Sequence, residues 1–289
     1  VLVAAERLGR PVKWIEDRQE HMMAANQGRN QHHLARMAFD QDGQILAMAD
    51  EFWHDQGGYV RTHGANVPNR TMCMLTGAYK IPAFQAKCHF RLTNKTPAAT
   101  YRAPGRFEST FVRERIMDIA AEKLGIDRVE IRRRNLIGVD DMPFKIRFDE
   151  PGLETLVFDS GDYESLLDKA LVHFKWDELQ AELNERRAGG ELVGCGLGVF
   201  VEESGKGPVD GARITVDTNG DVEVLTGGAS LGQGFETTMA QITAAALGAD
   251  YSKITVIHGQ TDRIPYGIGA HAARATVMTG SAVNITALK

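Results

Sequence analysis

The chain has 289 residues, 43% of them hydrophobic and 25% charged, which suits a globular protein of two domains. Its formal net charge of −5 argues against a nucleic-acid-binding surface, and no apolar run approaches the roughly 20 residues that span a bilayer. The three cysteines form no CxxC pair, so they predict neither a disulfide framework nor a zinc site and favour a reducing cytoplasm.

Both ends of the sequence lie inside predicted helices. Residues 1–8 begin directly in a helical pattern without a methionine or a signal segment, and residues 281–289 stop inside another helical pattern. We therefore expect an internal fragment of a longer protein, with further site residues outside it.

The region before residue 97 is predicted to be mainly extended. The hydrophobic runs 34–39 and 45–52 flank Asp42-Gly43, a pair that readily takes the positive φ values of a tight turn. They predict a β-hairpin. Further strands are expected at 12–15, 72–79 and 84–92.

A long amphipathic helix is predicted after the loop 97–106, with Gly125 as its C-terminal cap. Its predicted buried stripe comprises Val112, Ile116, Ile119, Ala120 and Leu124. A short helix over 127–135 ends in Arg132-Arg133-Arg134. For these arginines we favour a solvated last turn stabilised by the helix dipole over nucleic-acid binding.

The second half mixes hairpins and helices. Residues 138–161 contain prolines, glycines and scattered acids, which indicate a connector, and Asn219-Gly220 predicts a second hairpin. Helices are expected at 163–174, 176–187 and 236–247, and strands at 194–202, 213–216 and 254–257. This mixture favours an α+β fold over a doubly wound parallel sheet. We place the domain division near residue 150, giving domains 1–150 and 151–289.

The most informative stretch is the glycine-rich turn Gly232-Gln233-Gly234 ahead of a helix. A strand that runs into such a turn and then a helix presents free backbone N–H groups to a ligand, and the helix dipole favours negative charge there. The amide of Gln233 adds donors and an acceptor. The sequence therefore predicts a ligand-binding turn here.

Two other loops, 100–106 and 266–276, also lead into helices. Each can be a plain connection, and Arg102 and Arg106 can be ordinary surface charges. Three such loops with small residues and arginines favour a long ligand that carries phosphates. Arg274 stands among alanines, which suggests a side chain packed close to its partner. The nine histidines are scattered, so no protein side chain is expected to bind a metal directly.

A serine hydrolase is the alternative. Residues Gly228-Ala229-Ser230-Leu231-Gly232 fit the GxSxG nucleophile elbow, and Asp262 and His271 follow in the order of a triad. However, the elbow belongs to a mostly parallel sheet, and the preceding strand here comes from an Asn-Gly hairpin. Asp262 and His271 also share one short loop. We therefore disfavour this interpretation.

The sequence resembles the molybdenum-binding large subunit of the xanthine dehydrogenase / aldehyde oxidase / carbon monoxide dehydrogenase family. Two motifs carry the resemblance, Tyr101-Arg102-Ala103-Pro104-Gly105-Arg106-Phe107-Glu108 and Gly232-Gln233-Gly234. Further stretches match in the family's order at 9–14, 16–18, 61–64, 93–95, 132–135, 241–242, 261–265 and 280–283. The resemblance covers essentially the whole chain.

The resemblance implies two mixed-sheet and helix domains that bind molybdenum–molybdopterin, with the cytosine dinucleotide form expected. It implies that Gly232, Gln233 and Gly234 hold the pterin. It assigns the cofactor phosphates to Ala272, Ala273, Arg274, Ala275 and Thr276. Relatives often carry serine at positions 273 and 275, so backbone N–H groups would do the holding here.

The resemblance also implies the reaction. Arg102 is expected to orient the substrate, on a loop whose Ala103 faces the metal. Carbon monoxide dehydrogenases carry a copper-binding cysteine at that position, so the expected reaction is hydroxylation of an aldehyde or N-heterocycle, with water as the oxygen source. The glutamate base belongs to a downstream motif outside this chain. A non-catalytic scaffold of the same fold is the remaining alternative.

Family members pass electrons to [2Fe-2S] and FAD partners, so we expect an iron–sulfur subunit and an FAD subunit, or equivalent domains. A dimer of heterotrimers is the expected assembly.

Overall fold

The structure, a computed structural model, describes residues 1–61, 63–148, 155–202, 204–205 and 207–289. Thr62 of the 61–64 stretch and the predicted division near residue 150 lie outside the described residues. The chain folds as two compact units, Val1–Val201 (unit 1) and Glu202–Lys289 (unit 2). Among the described helices, none is long and apolar enough to cross a membrane.

Unit 1 combines a mixed sheet with helices and a small hairpin. Its helices span Leu2–Leu8 (α1), Arg18–Ala24 (α2), Asn66–Met74 (α3), Arg106–Leu124 (α4), Arg128–Asn135 (α5), Tyr163–His173 (α6) and Trp176–Ala188 (α7). Its strands span Gln31–Phe39 (β1), Ile45–Gly57 (β2), Ala83–Leu92 (β3), Phe144–Ile146 (β4) and Leu156–Phe158 (β5).

The first predicted hairpin is confirmed. β1 pairs antiparallel with β2, and Gly43 in the turn between them has a φ of 77°. β3 then adds to β2 in parallel, so the sheet has the order β1-β2-β3 and is mixed. The α+β prediction is thus correct.

Unit 2 repeats this arrangement on a smaller scale. Its strands span Ala212–Val216 (β6), Val222–Thr226 (β7) and Ile254–Ile257 (β8), and its helices span Phe235–Leu247 (α8) and Gly280–Ala287 (α9). β6 and β7 form the hairpin predicted at Asn219-Gly220, and β8 joins β7 in parallel. Val224, Met239 and Val283 are fully buried between this sheet and its helices.

The prediction for α4 was right about its ends and only partly right about its buried face, on which Ala120 is buried. The helix ends at Leu124 with Gly125 as a left-handed cap, but Ile119 and Leu124 are exposed. The buried face carries Arg113 and Glu114 beside Met117. Apolar periodicity misses such a face because the charges on it are neutralised by partners distant in sequence.

Those partners form a buried ionic network. The Glu114 carboxylate lies 3.0 Å from Nε of Arg113 and 2.9 Å from Nε of Arg132, and it accepts a hydrogen bond from the Tyr79 hydroxyl at 3.1 Å. Burial, and then the charge of Glu114, raise the pKa of Tyr79 well above its usual value, which keeps the hydroxyl a donor. The interpretation of Arg132 as part of a solvated turn was therefore wrong, since its side chain is completely buried.

Three predicted strands were also wrong. Residues 12–15 form no regular secondary structure, and residues 72–74 belong to α3. Residues 194–202 alternate in burial like a strand, yet the carbonyls of Cys195, Leu197 and Val199 accept hydrogen bonds from arginine side chains instead of a neighbouring strand. These bonds also explain why the compact unit extends to Val201. The division near residue 150 stays a prediction about the family's domains.

Candidate functional site

In unit 1, the loop that carries Arg102 and Ala103 is held by Arg29, which the sequence analysis did not single out. The Arg29 guanidinium donates to the carbonyl oxygens of Tyr101 and Ala103, each at 3.3 Å, and to that of Arg102. It also pairs with the buried carboxylate of Glu108 at 3.2 Å. One side chain thus fixes three consecutive peptide groups relative to the start of α4.

The conformation of this loop needs such a support. Ala103 has a φ of 52°, a left-handed conformation that costs an alanine about 1–2 kcal/mol. Gly105, with a φ of 76°, packs so closely that an added Cβ atom would overlap the backbone of α3. Arg102, in contrast, is exposed. The structure therefore presents Arg102 from a rigid base, as a residue that orients a substrate requires.

In unit 2, the Gly232-Gln233-Gly234 turn lies between β7 and α8, as predicted. Gly232 and Gly234 have φ values of 87° and 79°, and no atom lies within 4 Å of a Cβ atom built on either. The amide nitrogen of Gln233 donates to the carbonyl of Ala229 at 3.0 Å, and its oxygen accepts from the N–H of Leu231. Gln233 thus braces its own turn, while the glycine backbone remains open to a ligand.

The start of α8 already carries a negative charge. Hydrogen bonds lower the pKa of the Glu236 carboxyl. The largest contribution comes from its own backbone N–H, and smaller ones come from His258 and Ser230. A carboxylate in the first turn satisfies the helix dipole and repels a second anion. This turn therefore suits a neutral ring system better than a phosphate.

The same contacts argue against the hydrolase. The Ser230 hydroxyl donates to Glu236 Oε2 at 2.9 Å, and Nε2 of His258 lies 2.8 Å from Glu236 Oε1. In a serine hydrolase the histidine stands between the serine and the carboxylate, so that it can take the serine proton. Here the carboxylate stands in the middle. The observed order therefore lacks the serine–histidine contact of a serine triad.

Residues 269–276, the later part of the predicted loop 266–276, differ from the prediction in one respect. Ala272 and Ala273 are exposed, with φ values of 48° and 50°, and Thr276 is exposed as well. Arg274, in contrast, has a completely buried side chain that pairs with the equally buried Asp210 at 3.0 Å. Its guanidinium therefore faces the protein interior. Ala275 opens a single π-helical turn, Ala275–Thr279, which leads into α9.

These two loops of unit 2 meet. Gly227, just before the glutamine turn, packs against Tyr266 and Gly267, which lead into the loop 269–276. The Cβ position of Gly269 lies 3.9 Å from the Cβ of Ala229. The structure thus brings together two of the three predicted binding loops, while the Arg102 loop belongs to unit 1. Within the described ranges, no cluster of three or more histidine, cysteine or acidic side chains is arranged to hold a metal ion.

Comparison with known proteins identifies the family of the chain. Residues 1–136 and residues 169–289 each match a family described as a molybdopterin cofactor-binding domain. The chain belongs to this family. The resemblance to molybdenum-binding large subunits is therefore confirmed, and the exposed small-residue loops of unit 2 fit a cofactor that is gripped through backbone amides.

Individual relatives support the same assignment. The chain is 42% identical to the gamma subunit of the 6-hydroxypseudooxynicotine dehydrogenase complex of Paenarthrobacter nicotinovorans, over 99% of this chain and 36% of that protein. It is 33% identical to the carbon monoxide dehydrogenase large chain of Hydrogenophaga pseudoflava, over 100% of this chain and 37% of that protein. It also matches the crystal structure of quinoline 2-oxidoreductase from Pseudomonas putida 86, with a TM-score of 0.87 and 34% identity. This match covers 99% of this chain and 37% of that one.

The molybdopterin-binding chain thus spans little more than a third of the length of these relatives. Sequence reasoning missed Arg29 and Asp210, each of which contacts a predicted site loop. Both are single charged residues outside any motif, and their partners are 74 and 64 residues away in sequence. Only the folded chain identifies them.

Proposed function

We propose that this chain is the molybdenum–molybdopterin-binding part of an oxidoreductase that hydroxylates an N-heterocycle or an aldehyde with water as the oxygen source. The observation that carries the proposal is the meeting of two exposed, small-residue loops in unit 2, 232–234 and 269–276. Backbone N–H groups on such loops can grip an elongated ligand without bulky side chains in the way. The whole-chain similarity to molybdopterin-dependent relatives supports it.

Each loop has a distinct role in this proposal. Gly232, Gln233 and Gly234 hold the pterin, next to a helix start that Glu236 makes unfavourable for phosphate. The phosphates are held by the backbone of Ala272, Ala273, Ala275 and Thr276. Arg274 supports that backbone from the protein interior. When bound, the molybdenum cofactor supplies two-electron redox chemistry, and the protein orients the substrate against it.

The substrate class follows from the Arg102 loop and from the relatives. Arg102 donates to a polar substrate atom or stabilises charge that develops on it. The methyl group of Ala103 offers no ligand for a second metal, which argues against carbon monoxide as the substrate. The names of three relatives refer to 6-hydroxypseudooxynicotine, nicotine and quinoline, so an N-heterocyclic compound is the better supported of the two classes.

Partners and location complete the proposal. The names of two relatives describe subunits of larger assemblies, a gamma subunit of a complex and a large chain. We propose that electrons leave through [2Fe-2S] and FAD carried by partner subunits or domains, in a dimer of heterotrimers. The cysteines Cys73, Cys88 and Cys195, all among the described residues, form no disulfide, which suits the proposed cytoplasmic location.

The test uses the full-length protein expressed with its partners. We expect about one molybdenum per chain and about one equivalent of cytidine monophosphate released on acid treatment. Folded, metal-free protein from a molybdenum-replete host would favour the scaffold alternative. Labelling of Ser230 by a fluorophosphonate probe would favour the hydrolase.

A further inference from the structure

We infer that Asp210 and Arg274 form a buried positioning pair that sets the shape of the loop 269–276, and that the charge of Arg274 does not bind the ligand itself. This inference rests on the proposed function and deepens it. It assigns Asp210, which lies outside the predicted site, to the cofactor-binding machinery.

The contacts of the pair reach both ends of the loop. One terminal nitrogen of Arg274 lies 3.0 Å from Asp210 Oδ2 and 3.4 Å from the carbonyl oxygen of Gly269, where the loop begins. The other donates to the carbonyl of Pro208 at 2.6 Å. The hydroxyl of Thr279, where the π-helical turn ends, donates to the same oxygen of Asp210. The pair therefore ties Gly269 at the start of the loop, and Thr279 three residues beyond its end, to the segment before β6.

The loop needs this constraint because of its backbone. Ala272 and Ala273 both adopt left-handed conformations, which are unfavourable for alanine, and Arg274 follows with a right-handed φ of −83°. Within the loop the N–H of Arg274 donates to the carbonyl of His271 at 3.0 Å, and the N–H of Gly205 donates to the carbonyl of Ala272 at 3.1 Å. Strained residues keep such conformations only when the surrounding structure fixes them. Arg274 is the adjacent residue and is fully buried.

Direct binding of phosphate by Arg274 would require a different structure. The guanidinium would have to leave a carboxylate whose side chain has no exposed surface, and that carboxylate would then remain buried without its counter-charge. The two roles therefore predict opposite effects at Asp210. If Arg274 binds phosphate, removing the acid would free the arginine and strengthen retention of the cofactor. If the pair positions the backbone, removing the acid would release the loop and weaken retention of the cofactor.

The experiment compares Asp210→Asn, Arg274→Lys and Thr279→Val in the full-length protein with its partner chains. The matched controls are Asp221→Asn and Arg213→Lys, which make the same substitutions at exposed residues of unit 2. Molybdenum and released nucleotide are measured per chain after gel filtration. We expect at least a five-fold loss in Asp210→Asn and Arg274→Lys, about a two-fold loss in Thr279→Val, and wild-type content in the controls. The inference would be overturned if Asp210→Asn had wild-type or higher molybdenum and nucleotide content and Arg274→Lys had wild-type content.

A second measurement does not depend on the cofactor. Trypsin cannot cleave after Arg274 while its side chain is buried against Asp210, so cleavage of the 274–275 bond reports release of the loop. We expect at least five-fold faster cleavage there in Asp210→Asn than in wild type or Asp221→Asn, and a smaller increase in Thr279→Val. Equal rates in all four proteins would refute the positioning role. Wild-type protein without molybdenum or nucleotide would instead contradict the proposed function, and the cleavage rates would still decide this inference.

Discussion

Gly227 and Gly267 contact each other backbone to backbone. A Cβ atom built on Gly227 would lie 2.5 Å from the Cα of Gly267, and one built on Gly267 would lie 2.5 Å from the Cα of Gly227. Real Cβ contacts are essentially never this short. Because Gly227 precedes the glutamine turn and Gly267 precedes the loop 269–276, this crossing decides whether the two binding loops can share one ligand.

We predict that Gly227→Ala or Gly267→Ala forces the two loops apart. Overpacking of this kind costs about 1–3 kcal/mol, and both stability and cofactor content should fall. The measurements are chemical denaturation and molybdenum per chain. Gly211→Ala is the control, since no atom lies within 4 Å of its Cβ position. If all three variants behave alike, the crossing is not important for the site.

Arg29 gives a second prediction. Arg29→Lys keeps the charge but cannot bridge three carbonyl groups and a carboxylate, so the loop bearing Arg102 should loosen. Misplacing a substrate-orienting group by about 1 Å costs on the order of 100-fold in rate. We expect kcat to fall by about ten-fold or more while molybdenum content stays at the wild-type level. Arg36→Lys, an exposed change in β1, the strand that follows Arg29, should leave both unchanged.

For Gln233, we expect Gln233→Ala to reduce cofactor retention. The lost contacts are worth on the order of 1–3 kcal/mol, which corresponds to roughly 5- to 150-fold in affinity. The release of molybdenum and nucleotide during dialysis measures this change. Gln241→Ala, on the exposed side of α8, is the matched control. Equal release from both variants would remove Gln233 from the cofactor site.

The buried network of Glu114 should dominate the stability of unit 1. Glu114→Gln leaves Arg113 buried without its counter-charge and leaves Arg132 with Asp118 as its acid partner, and breaking a buried ion pair typically costs about 3–5 kcal/mol. Denaturant unfolding of the variant should show this loss, whereas Glu122→Gln, an exposed change on the same helix, should shift stability by less than about 0.5 kcal/mol. A loss below 1 kcal/mol in Glu114→Gln would mean that the arginines find other partners.

Local chemistry is what the sequence determined by itself. Asp42-Gly43 and Asn219-Gly220 specify hairpins because their residues tolerate positive φ, and Gly125 ends α4 for the same reason. The Gly232-Gln233-Gly234 turn likewise predicts a ligand-binding backbone. These features depend on a few neighbouring residues, so they can be read without knowing the rest of the fold.

Only the tertiary structure decided where the charges lie. Arg29 and Arg132 are ordinary arginines in the sequence, and the alanines around Arg274 indicate close packing without identifying its partner. The fold commits each of the three to distant carbonyl or carboxylate groups. An arginine is exposed or buried according to whether such partners meet it, since a buried charge is tolerated only when it is paired. Those partners are brought close by the folding of the whole unit, and hydrophobic periodicity carries no signal for them.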